Sequence, residues 1–272
     1  MKTIEWNKLP QITLGFWILK IAATTLGETA GDLLSMTCQV GYLVSSLILF
    51  SCFLAVLPFQ VGSRKYHPFL YWAVIVATST SGTTISDFMD RTLGLGYMKG
   101  SAILLGILLV ILGLWYLSGQ SMSVNKIRTR KVEILYWVAI LFSNTLGTAL
   151  GDFLADDSGL GFMGGAALIG GLIALVAAAY YLTKIPRVVL FWVAFILTRP
   201  FGATFGDVLN KQPSDGGIGI GRGGSSAVLL GILVVGVIVT LMKLRRQAAA
   251  QPVPVPVPVD SPRRFPPKAS HR

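Results

Sequence analysis

Apolar residues run in long blocks along the chain, and short polar stretches separate these blocks. The eight blocks cover roughly residues 11–34, 38–59, 68–89, 98–118, 133–154, 160–182, 188–209 and 225–242. Each is close to the roughly 20 residues that an α-helix needs to cross ~30 Å of hydrocarbon. The runs are continuous rather than alternating, which excludes a membrane β-barrel. The pattern therefore predicts an all-α membrane protein with eight transmembrane helices.

Composition and charge agree with a lipid bilayer as the main partner. The 272 residues are 53% hydrophobic and 13% charged, whereas a soluble domain has roughly 25% charged residues. The net charge of +11 does not indicate nucleic acid, because the basic residues cluster between apolar blocks and at the chain ends. Neither the two cysteines nor the two histidines form a metal-binding spacing.

A tryptophan precedes an aspartate by 15 residues in four places, which divides residues 11–244 into repeats. The pairs are Trp17 and Asp32, Trp72 and Asp87, Trp137 and Asp152, and Trp192 and Asp207. Each repeat holds two predicted helices, so all repeats have the same orientation. The repeats span 11–67, 68–131, 132–186 and 187–244. Pseudo-fourfold and nested twofold arrangements both fit this pattern.

The distribution of lysine and arginine predicts the orientation in the membrane. Termini and loops between repeats carry 17 of these residues, against 4 in the loops within repeats. Both termini, 1–10 and 245–272, are therefore predicted to be cytoplasmic. The four tryptophans would then anchor the cytoplasmic interface, in an aromatic belt with Tyr71, Tyr136 and Phe191. The proline-rich basic tail predicts a disordered segment that could touch anionic headgroups.

A polar stripe leads to the aspartate in most repeats. Positions 8, 11 and 15 after each tryptophan share one helical face. They hold Thr25, Glu28 and Asp32, then Thr80, Thr83 and Asp87, then Thr145, Thr148 and Asp152, and finally Pro200, Ala203 and Asp207. The fourth repeat keeps only the acid and adds Arg199, which we interpret as a charge partner for one of the acids.

Small residues follow the same register beside this stripe. They are Gly27 and Gly31, Gly82 and Ser86, Gly147 and Gly151, and Gly202 and Gly206. Small residues four apart let helix backbones approach closely in lipid. Their recurrence in one register predicts that the odd-numbered helices pack together, with the aspartates near one level in the outer half of the membrane.

Two interpretations of the acids stay open. Carboxylates with threonine hydroxyls form an all-oxygen environment, which suits a proton or a hard divalent cation. In that case Glu28 and the four aspartates would line a cation or proton pathway. Alternatively, the aspartates cap helix ends and the motif only packs helices. No catalytic constellation or cofactor motif is present in the sequence, so we do not expect an enzyme.

The repeated Trp and Gly-rich/Asp motifs resemble a family of bacterial membrane proteins built from a repeat of unknown function. The resemblance covers residues 11–244. It implies a location in the inner membrane and no established activity. A transporter of a small hard cation or a proton-coupled transporter is one expectation, and a non-transporting structural or sensory membrane protein is the alternative. The oligomeric state is not predicted.

Overall fold

The computed structural model describes residues 9–63, 65–123, 127 and 129–249 of the chain. Within these ranges the protein is all helical, with eight long α-helices and no strand. Each predicted apolar block coincides with one helix. The proline-rich part of the predicted tail, from residue 250 onward, lies outside the described residues.

Odd-numbered and even-numbered helices occupy different layers. The odd-numbered helices form an inner layer and are α1 (Leu14–Asp32), α3 (Pro68–Asp87), α5 (Arg130–Asp152) and α7 (Arg187–Asn210). The even-numbered helices form an outer layer and are α2 (Tyr42–Gly62), α4 (Tyr97–Leu117), α6 (Gly161–Leu182) and α8 (Arg222–Ala249). The last helix thus extends past residue 244, where the tail was predicted to begin.

Local sequence signals set where several of these helices begin. Thr13 and Thr129 lie just before α1 and α5, and each side chain accepts a hydrogen bond from a backbone amide in the first turn. Pro68 opens α3, where its missing N–H costs nothing. Gly41 and Gly96 precede α2 and α4 with φ of 80° and 71°, a conformation that glycine adopts without strain.

The inner helices form a closed ring in the order α1, α3, α5, α7 and back to α1. Each outer helix packs mainly on the inner helix of the following repeat: α2 on α3, α4 on α5 and α6 on α7. The last helix, α8, packs on α1 and so closes the arrangement. The four repeats are therefore related by approximate fourfold rotational symmetry.

An equivalent glycine lies at each of the four contacts between neighbouring inner helices. The glycine 10 residues after each tryptophan lies against the residue 7 after the next tryptophan. The contacts are Gly27 with Ser79, Gly82 with Asn144, Gly147 with Arg199, and Gly202 with Thr24. A Cβ would collide with its neighbour at three of these glycines and would be in unusually tight contact at Gly82. Close backbone approach is the reason that the positions hold glycine.

Aromatic rings form a second cyclic contact at the Trp end of the bundle, the end that holds the repeated tryptophans. The aromatic residue before each tryptophan packs against the tryptophan of the next repeat. The ring centroids are 5.8 Å apart for Phe16 and Trp72, 5.6 Å for Tyr71 and Trp137, 6.2 Å for Tyr136 and Trp192, and 5.8 Å for Phe191 and Trp17. These eight rings close this end of the inner helices.

The burial of these rings differs from the predicted aromatic belt. Trp72, Trp137 and Trp192 are buried, and so are Tyr71 and Tyr136. Each of these rings lies between two inner helices, where ring–ring packing removes it from the surface of the bundle. Trp17 and Phe191 are half-buried.

Six of the eight helices are long and apolar enough to cross a membrane; α1 and α3 fall below that level. Large apolar side chains cover the outer surface of α2, α4, α6 and α8. The protein is therefore a membrane-type helical bundle. Its two least apolar helices belong to the inner ring, where other helices surround them.

Candidate functional site

The inner faces of the ring form a column of four layers along the bundle axis. The layers lie 3, 7, 11 and 15 residues after each tryptophan, which places them on one face of each helix. From the Trp end they hold Lys20, Ile75, Ile140 and Phe195; Thr24, Ser79, Asn144 and Arg199; Glu28, Thr83, Thr148 and Ala203; and Asp32, Asp87, Asp152 and Asp207. All sixteen side chains are buried.

An ion pair between Arg199 and Glu28 occupies the centre of this column. Both terminal guanidinium nitrogens of Arg199 lie 3.0 Å from Oε2 of Glu28. The guanidinium also donates to the hydroxyl of Thr148 at 2.6 Å and to that of Thr83. One side chain from α7 thus binds groups on α1, α3 and α5.

Backbone carbonyls complete the surroundings of this guanidinium. The oxygens of Thr24 and Ser79 lie 3.5 Å and 3.4 Å from its nitrogens. A charged pair so deeply buried is retained only where hydrogen bonds satisfy it, because the desolvation of each ion is costly. The sequence predicted a charge partner role for Arg199, and the structure places it against Glu28 rather than against an aspartate.

The layer between this pair and the Trp end holds a second buried cation. Lys20 is fully buried, and its Nζ lies 4.0 Å from the centroid of the Phe195 ring. Ile75 and Ile140 fill the remaining positions of that layer. Above it, the amide nitrogen of Asn144 donates to the Ser79 hydroxyl at 3.3 Å. The column therefore changes from apolar to polar within one helical turn.

The four aspartates form a ring at the opposite end of the column, the Asp end. Two of them share one arginine: Arg91 Nε lies 3.0 Å from Asp87 Oδ1, and its terminal nitrogen lies 3.3 Å from Asp152 Oδ2. Arg222, at the start of α8, lies 3.3 Å from Asp32 Oδ2. These two arginine side chains are 34% and 26% exposed, so they lie at the boundary between the column and its surroundings.

Asp207 differs from the other members of the ring. Within the described part of the chain no ion pair reaches it, although the charge of Lys211 acts on it. The Nζ of Lys211 lies over the Phe162 ring, 5.0 Å from its centroid. Every neighbouring pair of aspartates around the ring is close enough for mutual repulsion. The ring is thus a concentration of negative charge with incomplete compensation.

Three of these aspartates do not cap a helix end. A five-residue π-helical turn follows Asp32, Asp87 and Asp152 directly, and none of the three side chains makes a capping hydrogen bond there. In the fourth repeat, α7 continues to Asn210. The carboxylates are therefore available to the arginines and to the column. Single π-helical turns are frequent at functional sites.

The predicted threonine stripe divides into two groups. Thr83 and Thr148 reach the central ion pair. Thr80 and Thr145 are buried but donate to carbonyls of their own helices, and the Thr25 hydroxyl has no hydrogen-bond partner among the described residues. The glycines predicted to pack helices lie between the inner helices, with Gly31, Gly151 and Gly206 facing Thr83, Ala203 and Glu28.

Sequence reasoning missed the arginines that contact the ring. The sequence places Arg91 and Arg222 in the loops within repeats and does not connect them with the aspartates. A signal existed for Arg91, since it lies four residues after Asp87, the spacing of a helical ion pair. No local signal connects Arg222 with Asp32, because 190 residues separate them.

The donor set fits a tightly held divalent cation poorly. Among the described residues no group of three His, Cys, Asp or Glu side chains is arranged to hold a metal ion. Glu28, Asp32, Asp87 and Asp152 each face a guanidinium. A metal ion would have to displace those cations. A proton needs only one carboxylate oxygen.

Comparison with known families supports the repeat architecture. The family model described as Repeat of Unknown Function (DUF347) matches residues 15–66, 70–121, 135–185 and 190–246. These matches cover most of the chain and confirm the four tandem repeats, so the chain belongs to this family. No curated protein and no solved structure matches the chain significantly.

Proposed function

We propose that this member of the DUF347 family is a proton-coupled transporter of the bacterial inner membrane, with eight transmembrane helices and cytoplasmic termini. The observation that carries the proposal is the buried aspartate ring, held by partly exposed arginines at one end of a polar column. The opposite end of that column is closed by aromatic rings. A ring of buried acids inside a bundle of parallel repeats is the arrangement expected where protons or ions pass through a membrane protein.

Because α1 and α3 lie inside the bundle, they can cross the membrane although they are less apolar, which supports eight transmembrane helices. A helix surrounded by other helices need not be apolar, because it does not face lipid. The ring of α1, α3, α5 and α7 has the outer helices packed against it. The lysine and arginine distribution then supports cytoplasmic termini, which places the Asp end on the outer side.

Proton binding is favoured over a divalent metal by the arginines. A proton on Asp87 or Asp152 would cancel one of the two charges that hold Arg91. The bridge between α3 and α5 would weaken, and these helices could separate at the Asp end. Because α3 and α5 both bind Arg91, the binding of a proton would be coupled to the movement of these two helices.

Complementation of a deletion strain tests this proposal. The strain is screened for pH and metal sensitivity and then supplied with wild type or with Asp87→Asn, Asp152→Asn or Asp207→Asn, each at equal membrane abundance. We expect these variants to lose complementation, whereas Asp157→Asn, which changes an exposed acid, retains it. Full activity of all three ring variants would rule out the proposal.

A structural or sensory role is the alternative, and the tight helix contacts favour it. Glycine-mediated packing and the central ion pair would lock a rigid bundle without any transport. In that case the ring variants would complement fully, and only variants that unfold the bundle would fail. Neither role involves catalysis, and we propose no enzymatic activity.

A further inference from the structure

Lys20 is the least compensated charged group of the column. It is fully buried, and among the described residues its Nζ has no hydrogen-bond partner. The face of the Phe195 ring, 4.0 Å away, provides only a cation–π contact. An ammonium group buried without an anion is strongly unfavourable, and an anion beside Nζ would remove that cost.

Arg199 presents an unused donor in the adjacent layer. Its terminal nitrogens bind Glu28, Thr83 and Thr148, but its Nε is buried without a hydrogen-bond partner. The charges of Lys20 and Arg199 act on each other. Two cationic groups from α1 and α7 thus belong to adjacent layers of the column, and both retain free donors.

The charge balance of this stretch favours an anion. Glu28 is the acid that pairs with Arg199, and the Lys20 layer is otherwise apolar. Two cations against one carboxylate leave an excess positive charge. A cation entering from the aspartate ring would meet this charge and be repelled.

Small polar groups beside the two cations would suit the same ligand. Ser79 and Asn144 lie in the Arg199 layer, and their side chains bond to each other. The Ser79 hydroxyl can turn to donate to an oxygen anion. The aromatic rings of the Trp end close the column beyond Lys20.

We infer that the axis between Lys20 and Arg199 is the substrate site, and that the substrate is a small monovalent anion, most suitably a carboxylate. The inference rests on the proposed proton-coupled function. A proton taken up on the aspartate ring would move together with the anion, so that the pair crosses without net charge. Lys20 would bind the anion directly, with Arg199 as the second charge.

Anion-dependent thermal stability of the purified full-length protein tests this site. The melting temperature is measured during titration with sodium lactate, sodium acetate and sodium chloride, at constant ionic strength maintained with sodium MOPS, whose bulky sulfonate differs from a small carboxylate in size and shape. We expect saturable stabilisation of wild type by at least one of these anions. Lys20→Met should abolish that shift or weaken the apparent affinity at least about tenfold, and Lys20→Arg should retain part of it.

Matched variants separate binding from folding. Lys184→Met removes an exposed lysine and should leave the anion shift unchanged. Lys20→Met without anion should be as stable as wild type or more stable, because it removes an unpartnered buried charge. Absence of a saturable shift with all three anions, or an equal shift in Lys20→Met, would overturn the inference.

Failure of this site is distinguishable from failure of the proposed function. The complementation assay of the aspartate variants measures the ring and does not depend on the identity of the substrate. Loss of complementation in the ring variants without a Lys20-dependent anion shift would retain proton coupling and reject the anion site.

Discussion

The contacts between the inner helices and the column that they enclose follow opposite rules. At the contacts, the same glycine and the same pair of aromatic positions recur at each of the four steps around the ring. In the column, only the aspartate layer is the same in every repeat. Lys20, Glu28 and Arg199 each occur once, at positions where the other repeats have different residues.

This difference separates structural positions from functional ones. The glycine and the aromatic pair that recur at the four contacts are what the fold requires of every repeat. A charge that occurs in one repeat alone contributes nothing to the symmetric packing, and its burial carries a cost that packing does not explain. The single charges therefore mark the part of the column that distinguishes this protein from a purely structural bundle.

The largest expected effect comes from breaking the central ion pair. Glu28→Gln should lower the free energy of unfolding by about 3 kcal/mol or more, because Arg199 would remain buried without its carboxylate. Denaturant titration of the purified protein measures this change. The double variant with Arg199→Met should recover part of the loss, since no uncompensated charge then remains. Independent, additive losses would contradict the pairing.

A symmetric contact should be nearly as sensitive. Gly147→Ala places a Cβ against the side chains of Arg199 and Pro200, and we expect it to cost up to about 3 kcal/mol. Gly171→Ala is the matched control, because its Cβ meets no atom within 4 Å, and it should be neutral or slightly stabilising. Equal thermal stability of the two variants would show that the inner helices do not pack as described.

The aromatic end offers a smaller test of the same contrast. Tyr71 and Tyr136 share a buried hydroxyl–hydroxyl bond of 2.8 Å. Tyr71→Phe leaves the partner hydroxyl unsatisfied and should cost about 1–2 kcal/mol. Tyr116→Phe, at a side chain that is 74% exposed, should change nothing measurable in the same thermal unfolding experiment.

Arg91 should have the smallest effect on stability and a large effect on function. Its side chain is 34% exposed, and protonation can neutralise the two buried carboxylates that lose it, so Arg91→Gln should cost about 1 kcal/mol or less. It should nevertheless fail in the complementation assay, because the shared partner of Asp87 and Asp152 is lost. If Arg91→Gln still complements, the bridge that Arg91 forms between Asp87 and Asp152 has no role in the proposed coupling.

The sequence predicted the recurring features well. Hydropathy located each helix, and the tryptophan–aspartate spacing located the repeats, because both signals are local and occur four times. The same register indicated which face of each inner helix carries the acids. These properties depend on helical geometry alone, which a single sequence determines.

The contacts of the charged residues could not be predicted in the same way. The bond between Arg199 and Glu28 joins residues 171 apart, and it forms only because the ring brings α7 beside α1. The burial of three of the four tryptophans could not be predicted for a related reason. The sequence gives their position along the helix. Whether they face lipid or the next helix depends on which helices are neighbours in the bundle.

The proposed function depends on protonation of the aspartate ring, and Asp207 is the member of the ring at which protonation can be followed. This carboxyl group has no ion pair with any described residue, so its titration is the least constrained by an arginine. Infrared difference spectra of the purified protein in lipid, recorded across the physiological pH range, detect the protonated carboxyl group. The account predicts a carboxylic acid band that changes with pH and loses intensity in Asp207→Asn but not in the exposed control Asp157→Asn. A spectrum that Asp207→Asn leaves unchanged would contradict it.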